Sequence, residues 1–316
     1  MPVNQRIRFG IVNENLTAPS VWRDLVDRAE GGGVGSFVIR DHIGVIPFGA
    51  QLAPFAALAA AAERTTRLRL GTMVLTNDLR HPVLVAQETA TIDWLSGGRF
   101  ELGVGAGWQS EEYSALGVPF DRPGERITRL EEAVSIFDRL LRGDEVTSVG
   151  QHYQVDHVQL SVRAVQRPRP PLLIAGGGPR MLRLAGRIAD SVGILPAPIV
   201  DARQSEDPAD RSPEAFDAKV AITREAAASR DQDVEISIFA TIVRTNRRRE
   251  TTENLMRERG WDGLKPEAVW AMPSILIGTA EAIADKVREL NERHGISYWI
   301  TSDSVVDDVA AVIAAL

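Results

Sequence analysis

One stretch of the chain, residues 68–112, limits the possible folds more than any other. It reads as a strand (Leu68–Leu75), a helix (Pro82–Leu95) and a second strand (Phe100–Val104). Proline at the first helical position and the glycines after Leu95 are the usual start and stop signals of a helix. The stretch is therefore one strand–helix unit of an α/β fold.

The second strand of this stretch ends in three alternating glycines, Gly103, Gly105 and Gly107. Glycine weakens a strand because it has no side chain to pack, and it allows another group to come close to the backbone. We therefore expect something to lie against the end of this strand.

The same strand–helix rhythm recurs along all 316 residues, and eight such units can be counted. This number favours an α/β fold of the (β/α)8 TIM-barrel type over a doubly wound sheet. We expect one domain over residues 1–316, with insertions near 143–170, 196–213 and 245–273. The first insertion should hold a hairpin and the last one or two short helices, while Val234–Val243 should form the seventh strand and 109–123 a loop.

Composition excludes several classes of function. The chain has no cysteine, so it has no disulfide, thiolate metal site or cysteine nucleophile. Its net charge of −7 argues against a nucleic-acid partner. The longest apolar run, Ala53–Ala62, is too short to span a bilayer, so we expect a cytoplasmic protein with no membrane partner. His81 should cap a helix, and His152, His157 and His294 lie in predicted loops or helix ends without a group of carboxylates, so we expect no metal site.

Chemistry in a TIM barrel lies at the C-terminal ends of the strands. Asp41 and His42 follow the second strand, and a histidine at a barrel mouth is a candidate proton-transfer group when an adjacent carboxylate can orient or charge it, as we expect of Asp41. Gly176, Gly177 and Gly178 open a helix after the fifth strand, where free N–H groups favour an anion; a plain tight turn is an equal alternative. Trp108 lies past its strand and is a candidate flat wall for a ring.

Three segments together resemble the luciferase-like monooxygenase superfamily, and within it the branch that uses the deazaflavin F420. They are Thr72-Met-Val-Leu-Thr-Asn77, Trp94-Leu-Ser-Gly-Gly-Arg-Phe100 and Gly103-Val-Gly-Ala-Gly-Trp-Gln-Ser-Glu-Glu-Tyr-Ser-Ala-Leu-Gly117. The resemblance implies coenzyme F420, or alternatively FMN, with its phosphate on Ala175–Pro179 and its ring beside His42. It also implies a homodimer.

The resemblance implies a particular set of site residues. The catalytic candidates are His42 and Asp41, and the cofactor-binding candidates are Asn13, Asp41, His42, Met73, Val74, Thr76, Asn77, Gly105, Gly107, Trp108, Ala175, Gly176, Gly177, Gly178 and Pro179. It further implies a non-proline cis peptide at Met73–Val74, behind the central ring of the deazaflavin. Some sugar-phosphate-oxidising relatives carry a glutamate where this chain has Trp108-Gln109.

Four functions stay open from the sequence. The first is an F420-dependent oxidoreductase that transfers a hydride to or from a small organic substrate, and the second is an FMN-dependent luciferase-like monooxygenase. The third is a sugar-phosphate aldolase or isomerase, which would also use a phosphate loop. A Schiff-base version would need a lysine at a strand end, but Lys219, Lys265 and Lys286 lie in predicted helices or an insertion. The fourth is a cofactor-free binding protein on the same scaffold.

Overall fold

The computed structural model describes residues 6–14, 16, 18–44, 48–197, 205, 207–231, 233–261 and 263–316. Their helices and strands are, in chain order, β1 (Arg8–Asn13), α1 (Pro19–Gly31), β2 (Ser36–Ile39), α2 (Pro54–Arg64), β3 (Arg69–Thr72), β4 (Leu75–Thr76), α3 (Pro82–Leu95), β5 (Phe100–Gly105), α4 (Ser110–Leu116), α5 (Pro123–Arg142), β6 (Val146–Val149), β7 (Gln154–Val158), β8 (Leu172–Gly176), α6 (Pro179–Ile188), β9 (Ser191–Ile194), α7 (Pro213–Ala227), β10 (Glu235–Phe239), β11 (Thr241–Arg244), α8 (Arg248–Glu258), α9 (Pro266–Ala271), β12 (Ile275–Gly278), α10 (Ala280–His294), β13 (Ile296–Ser302) and α11 (Val306–Ala315).

Eight parallel strands close into a barrel. Their order around it is β3, β2, β1, β13, β10, β9, β8 and β5, and a pairing of β5 with β3 closes the ring. The short β4 continues β3 and also pairs with β5. The predicted (β/α)8 TIM barrel is confirmed.

Strand alternation divides the barrel residues between two apolar clusters. Phe37 and Ile39 of β2 point outward into the main core beneath the helices. Val38, between them, lies in a second cluster inside the barrel with Tyr298 and Ile300 of β13. Successive residues of a strand face opposite sides, and Val38 is flanked by Phe37 and Ile39. Both faces of each barrel strand are therefore buried.

A charged network lies where the barrel strands begin. The Glu101 carboxylate of β5 accepts two hydrogen bonds from Arg8 at 2.7 and 2.9 Å and one from Arg69. Arg8 also donates to Glu235 at 2.6 Å and its guanidinium lies 3.7 Å from the centre of the Tyr298 ring. Burial alone would raise the pKa of Glu101, but the two arginines outweigh it and the pKa is lowered. The network ties β1, β3, β5 and β10 together at this end.

The first insertion forms the predicted hairpin, in which β6 and β7 pair antiparallel. The segment 109–123 is not the simple loop that we predicted, because Ser110–Leu116 forms α4 and ends at Gly117 in a left-handed conformation. Residues 198–204 and 206 of the predicted loop at 196–213 lie outside the described residues, and its described end forms a 3₁₀ turn at Pro208–Arg211.

The predicted seventh strand, Val234–Val243, is wrong as one element. The barrel strand β10 ends at Phe239, and the chain then leaves the barrel: Ala240 N donates to Ile300 O at 2.7 Å, whereas Thr241 N donates to Ser274 O at 2.8 Å. From Thr241 the chain forms β11, which pairs with β12 in a two-stranded sheet beside the barrel. The two strands bracket the last insertion.

This side sheet has a small apolar core of its own. Alternate residues of β12 face two ways, because Leu276 packs in the main core while Ile275 and Ile277 pack with α8 and α9. The small cluster also contains the buried side chains of Trp261 and Val269. The last insertion is therefore a packed unit with two helices, as predicted.

Candidate functional site

The end of the third barrel strand bulges at the barrel mouth, the face where the barrel strands end. The strand is interrupted between β3 and β4 by a cis peptide at Met73–Val74, as predicted. Met73 N donates to Ile39 O at 2.9 Å. Both side chains are partly buried and pack against the apolar cluster inside the barrel.

The glycines of β5 leave room for this bulge. A Cβ atom at Gly103 would lie 2.0 Å from Thr72 O, and one at Gly105 would lie 2.8 Å from Val74 Cγ2. Gly107 has a φ of +74°, and a Cβ there would lie 1.9 Å from the Tyr113 hydroxyl. The expected close approach to this strand is thus made by the chain itself, through Thr72, Val74 and Tyr113.

His42 lies at the mouth between two aromatic side chains. Its ring centre is 4.9 Å from that of Phe48 and 5.6 Å from that of Trp108, the latter edge to face. The His42 side chain is only 10% exposed. Trp108 therefore lies beside the candidate proton-transfer group, in a position to form a wall of the site.

A buried glutamate on α4 holds one nitrogen of this imidazole. Glu112 Oε2 lies 3.1 Å from His42 Nδ1, and Glu112 Oε1 accepts from Ile43 N at 2.7 Å and Gly44 N at 3.0 Å. The contact with Glu112 is thus made through Nδ1, which leaves the other ring nitrogen, Nε2, for a ligand.

Our expectation that Asp41 orients His42 is wrong. The Asp41 carboxylate instead accepts from Thr76 N at 2.9 Å and pairs with both Nη atoms of Arg80, one of them at 2.8 Å. Neighbouring residues in extended backbone point to opposite sides, so the carboxylate next in sequence is directed away from the imidazole. Asp41 joins the second and third barrel strands and fixes the backbone at Thr76.

The rim beside Thr76 is a network of charged and phenolic groups. Asn77 Nδ2 donates to Asp78 Oδ1 at 3.4 Å and to the Tyr153 hydroxyl of the hairpin insertion at 3.3 Å. Asp78 Oδ2 accepts from the Tyr113 hydroxyl at 3.2 Å and from Arg129 at 2.6 Å. Burial raises the pKa of Asp78, which Arg129 only partly offsets, and burial also raises the pKa of Tyr113. The hairpin insertion thus reaches the mouth.

The first strand contributes a second buried group of polar residues. Asn13 Nδ2 and Glu14 N donate to Asp303 Oδ2 at 2.8 and 2.9 Å. The Glu14 carboxylate pairs with Arg40, whose guanidinium lies 4.2 Å from the centre of the Phe48 ring. Burial lowers the pKa of Arg40 to about 10, which leaves it charged at neutral pH. Phe48 therefore contacts both Arg40 and His42.

The glycine run after β8 forms the turn into α6. Gly176 O accepts from Leu195 N at 3.0 Å, so it holds the next strand end. Gly178 is the N-cap residue of α6 and supplies no side-chain cap, while Pro179 occupies the first turn without an N–H. The remaining first-turn N–H groups have no capping side chain, and this arrangement suits an anion. Arg180 points to α5 and donates to Gly124 O at 2.8 Å.

Glu112 is the site residue that sequence reasoning missed. Its only local signal is the acidic pair Glu111–Glu112 four residues after Trp108, which is also typical of the first turn of a solvated helix. The other candidate histidine behaves as predicted, because the His81 side chain accepts from Val83 N at the start of α3.

Among the described residues, no three His, Asp or Glu side chains lie together in an arrangement that could hold a metal ion. No helix in this part of the chain combines the length and the apolar character needed to cross a membrane.

Comparison with known proteins gives a family and a shared fold. A family profile described as luciferase-like monooxygenase matches residues 10–297. The chain is 38% identical over 188 residues to an F420-dependent glucose-6-phosphate dehydrogenase from Nakamurella multipartita, a match that covers 58% of this chain and 55% of the relative. The chain spans about half the length of the curated relatives it matches.

Solved structures resemble the whole chain at low sequence identity. The F420-dependent tetrahydromethanopterin reductase from Methanopyrus kandleri is 20% identical with a TM-score of 0.75, covering 98% of this chain and 99% of that one. An F420-dependent secondary alcohol dehydrogenase is 19% identical with a TM-score of 0.78 and the same coverage. These likenesses establish the fold.

Proposed function

Because the chain belongs to the luciferase-like monooxygenase family, we propose that it is an F420-dependent oxidoreductase that transfers a hydride between the deazaflavin and a small organic substrate. The observation that carries this proposal is His42. It is the imidazole at the barrel mouth, its Nδ1 faces Glu112, and its Nε2 is left for a ligand between two aromatic walls. A hydride transfer to or from a carbon–oxygen or carbon–nitrogen bond needs one such group to hold the accompanying proton.

The residues at the mouth fit a phosphorylated ring cofactor. The phosphate would lie on Ala175–Pro179, where the first turn of α6 lacks a capping side chain. The ring would lie against the bulge at Met73 and Val74, bordered by Asn13, Thr76, Asn77 and Trp108. Gly105 and Gly107 serve this arrangement by admitting Val74 and Tyr113 behind the bulge. When bound, F420 supplies a two-electron hydride acceptor or donor at its ring.

The protein's own residues would bind and orient the substrate and would exclude water from it. His42 Nε2 would accept the proton of a substrate hydroxyl during oxidation, or return it during reduction. Phe48 and Trp108 would confine the substrate around this nitrogen and keep water from it. Asp41 would act indirectly, by holding the Thr76 backbone and Arg80 in place beside the ring.

The choice of F420 over FMN rests on the curated relatives, which are named F420-dependent glucose-6-phosphate dehydrogenases. A deazaflavin lacks the ring nitrogen that supports oxygen chemistry, so it suits a dehydrogenase rather than a monooxygenase. Fluorescence titration with F420 and with FMN tests the cofactor: F420 should saturate the protein at lower concentration. Binding of FMN alone would favour a monooxygenase, and binding of neither would favour a cofactor-free binding protein.

The substrate of the relatives is a poor guide to the substrate of this chain. Trp108-Gln109 stands where sugar-phosphate-oxidising relatives carry a glutamate, and the surroundings of His42 are aromatic. Ile43, next to His42, is 62% exposed. We therefore propose a small substrate with apolar surface next to the reacting carbon, taken up by a single-domain homodimer. Turnover of glucose-6-phosphate at a rate equal to that of apolar alcohols would contradict this choice.

A further inference from the structure

We infer that Glu112 is a positioning residue that fixes the tautomer of His42 and thereby makes Nε2 a hydrogen-bond acceptor. The inference rests on the proposed function only for its effect on rate. The tautomer itself is a property of the protein without cofactor or substrate.

Glu112 is built into the site as a fixed acceptor. Glu112 is 5% exposed, and its two carboxylate oxygens have different partners. Oε1 accepts from Ile43 N and Gly44 N, and Oε2 faces His42 Nδ1. The two backbone donors keep the carboxylate from rotating away. They also come from the two residues that follow His42, so α4 and the end of β2 are joined at this point.

The neighbouring aromatic rings restrict the orientation of the His42 imidazole. Phe48 and Trp108 lie at 4.9 and 5.6 Å from its centre on two sides, which fixes the ring plane. A 180° flip about the Cβ–Cγ bond would place Cδ2 instead of Nδ1 against Glu112, and the hydrogen bond would be lost. A neutral imidazole with Nδ1–H on a carboxylate presents a lone pair at Nε2.

The consequence of losing the carboxylate follows from counting donors and acceptors. In Glu112→Gln, one oxygen remains, and two backbone N–H groups at 2.7 and 3.0 Å compete for it against a single imidazole donor. The amide oxygen should keep the two backbone donors, so the NH2 group faces His42 Nδ1. Nδ1 must then accept, and the proton moves to Nε2. The imidazole would present a donor where the substrate hydroxyl also donates.

The experiment reads the tautomer directly and needs no activity. The protein is labelled with ¹⁵N-histidine, and long-range ¹H–¹⁵N correlations are recorded at about pH 9, well above the ordinary histidine pKa of about 6.5. The chain has five histidines, so the His42 signals are identified by their loss in His42→Gln. The wild-type protein should show the proton on Nδ1, and Glu112→Gln should show it on Nε2.

The kinetic arm uses the same variants loaded with F420. We expect Glu112→Gln to bind F420 as the wild type does while the rate of hydride transfer falls by about 100-fold or more, as when a histidine is held in the wrong tautomer. Glu112→Asp keeps a group that only accepts, so it should retain the Nδ1–H tautomer and recover part of the rate. The matched control is Glu111→Gln, the same change at the exposed neighbour, which accepts a hydrogen bond from Ser110.

The outcomes separate the inference from the proposed function. A wild-type His42 that carries its proton on Nε2 overturns the inference even if no Glu112 variant folds, and so does a Glu112→Gln protein with unchanged tautomer and rate. Failure of F420 to bind the wild-type protein would overturn the proposed function and leave the tautomer result standing.

Discussion

His42 is held on three sides by two aromatic rings and a carboxylate. The chemistry at the mouth therefore depends on one nitrogen atom. Most neighbouring charged groups are already paired with one another: Asp41 with Arg80, Asp78 with Arg129 and Glu14 with Arg40. They shape the site and leave the proton to His42.

At this scale we expect His42→Ala to lose catalytic rate and keep cofactor affinity. A proton-transfer group acts mainly in the transition state, and such groups contribute about 10²–10⁴-fold. Stopped-flow hydride transfer and F420 titration measure the two quantities separately. The control is His157→Ala, whose side chain is 73% exposed on the hairpin insertion. Loss of affinity with an unchanged rate per bound cofactor would make His42 a structural contact.

Glu101 at the opposite end of the barrel should matter for stability. Removing one partner of a buried charge network leaves the other charges uncompensated, so Glu101→Gln should cost about 3–5 kcal/mol in urea unfolding. Arg8 and Arg69 lower its folded pKa. Its contribution is thus present above the unfolded pKa of about 4.3 and is lost as pH falls through the lower folded value.

The pH dependence gives the sharper test of Glu101. Between neutral pH and about pH 3, the wild type should lose more stability than Glu101→Gln, which has no carboxyl group to protonate. Glu63→Gln, at an exposed position of α2, should follow the wild type. Parallel acid-unfolding curves for wild type and Glu101→Gln would contradict the role of the network.

The helix with clear local start and stop signals was predicted correctly, whereas other elements depended on distant contacts. α3 matches the predicted Pro82–Leu95, because proline marks its start and glycines follow its end. The branched run Val234–Val243 has no glycine or proline, so nothing local reveals that pairing with Ser274 and β12 draws it out of the barrel. Glu112 escaped prediction similarly, since it lies 70 positions from His42.

We predict that the cofactor phosphate binds at the turn from β8 into α6. Gly177→Asp should weaken F420 binding by about tenfold or more, because it places a carboxylate where the positive end of α6 would receive the phosphate. Gly31→Asp is the matched control, since a side chain there meets no atom within 4 Å. Equal affinities of the two variants in a fluorescence titration would remove the phosphate from this turn.

On the scale of the whole molecule, α3 is apolar on two sides. Val85, Ala86 and Ile92 are buried against the barrel, whereas Leu84 and Trp94 are 55% and 61% exposed on the outer side. Large apolar side chains exposed on the outer side of a surface helix often mark an interaction surface. This pattern supports the homodimer that the resemblance predicts.

We expect light scattering to give the mass of two chains, about twice 34.5 kDa. Trp94→Asp should shift the population to the monomer by placing a charge in the covered face. Val149→Asp, at an 83% exposed position of the hairpin, should remain dimeric. A monomeric wild-type protein would count against the homodimer.

The side sheet of β11 and β12 lies between the main core and the small core, so substitutions on its two faces affect different cores. Leu276 packs in the main core, so a replacement there must fit the barrel. Ile275 and Ile277 pack in the small core with α8 and α9, so replacements there must fit that core instead. The chain enters and leaves this unit on adjacent, paired strands. Residues 245–273 can therefore diverge, lengthen or be grafted from a relative as one cassette without loosening the barrel.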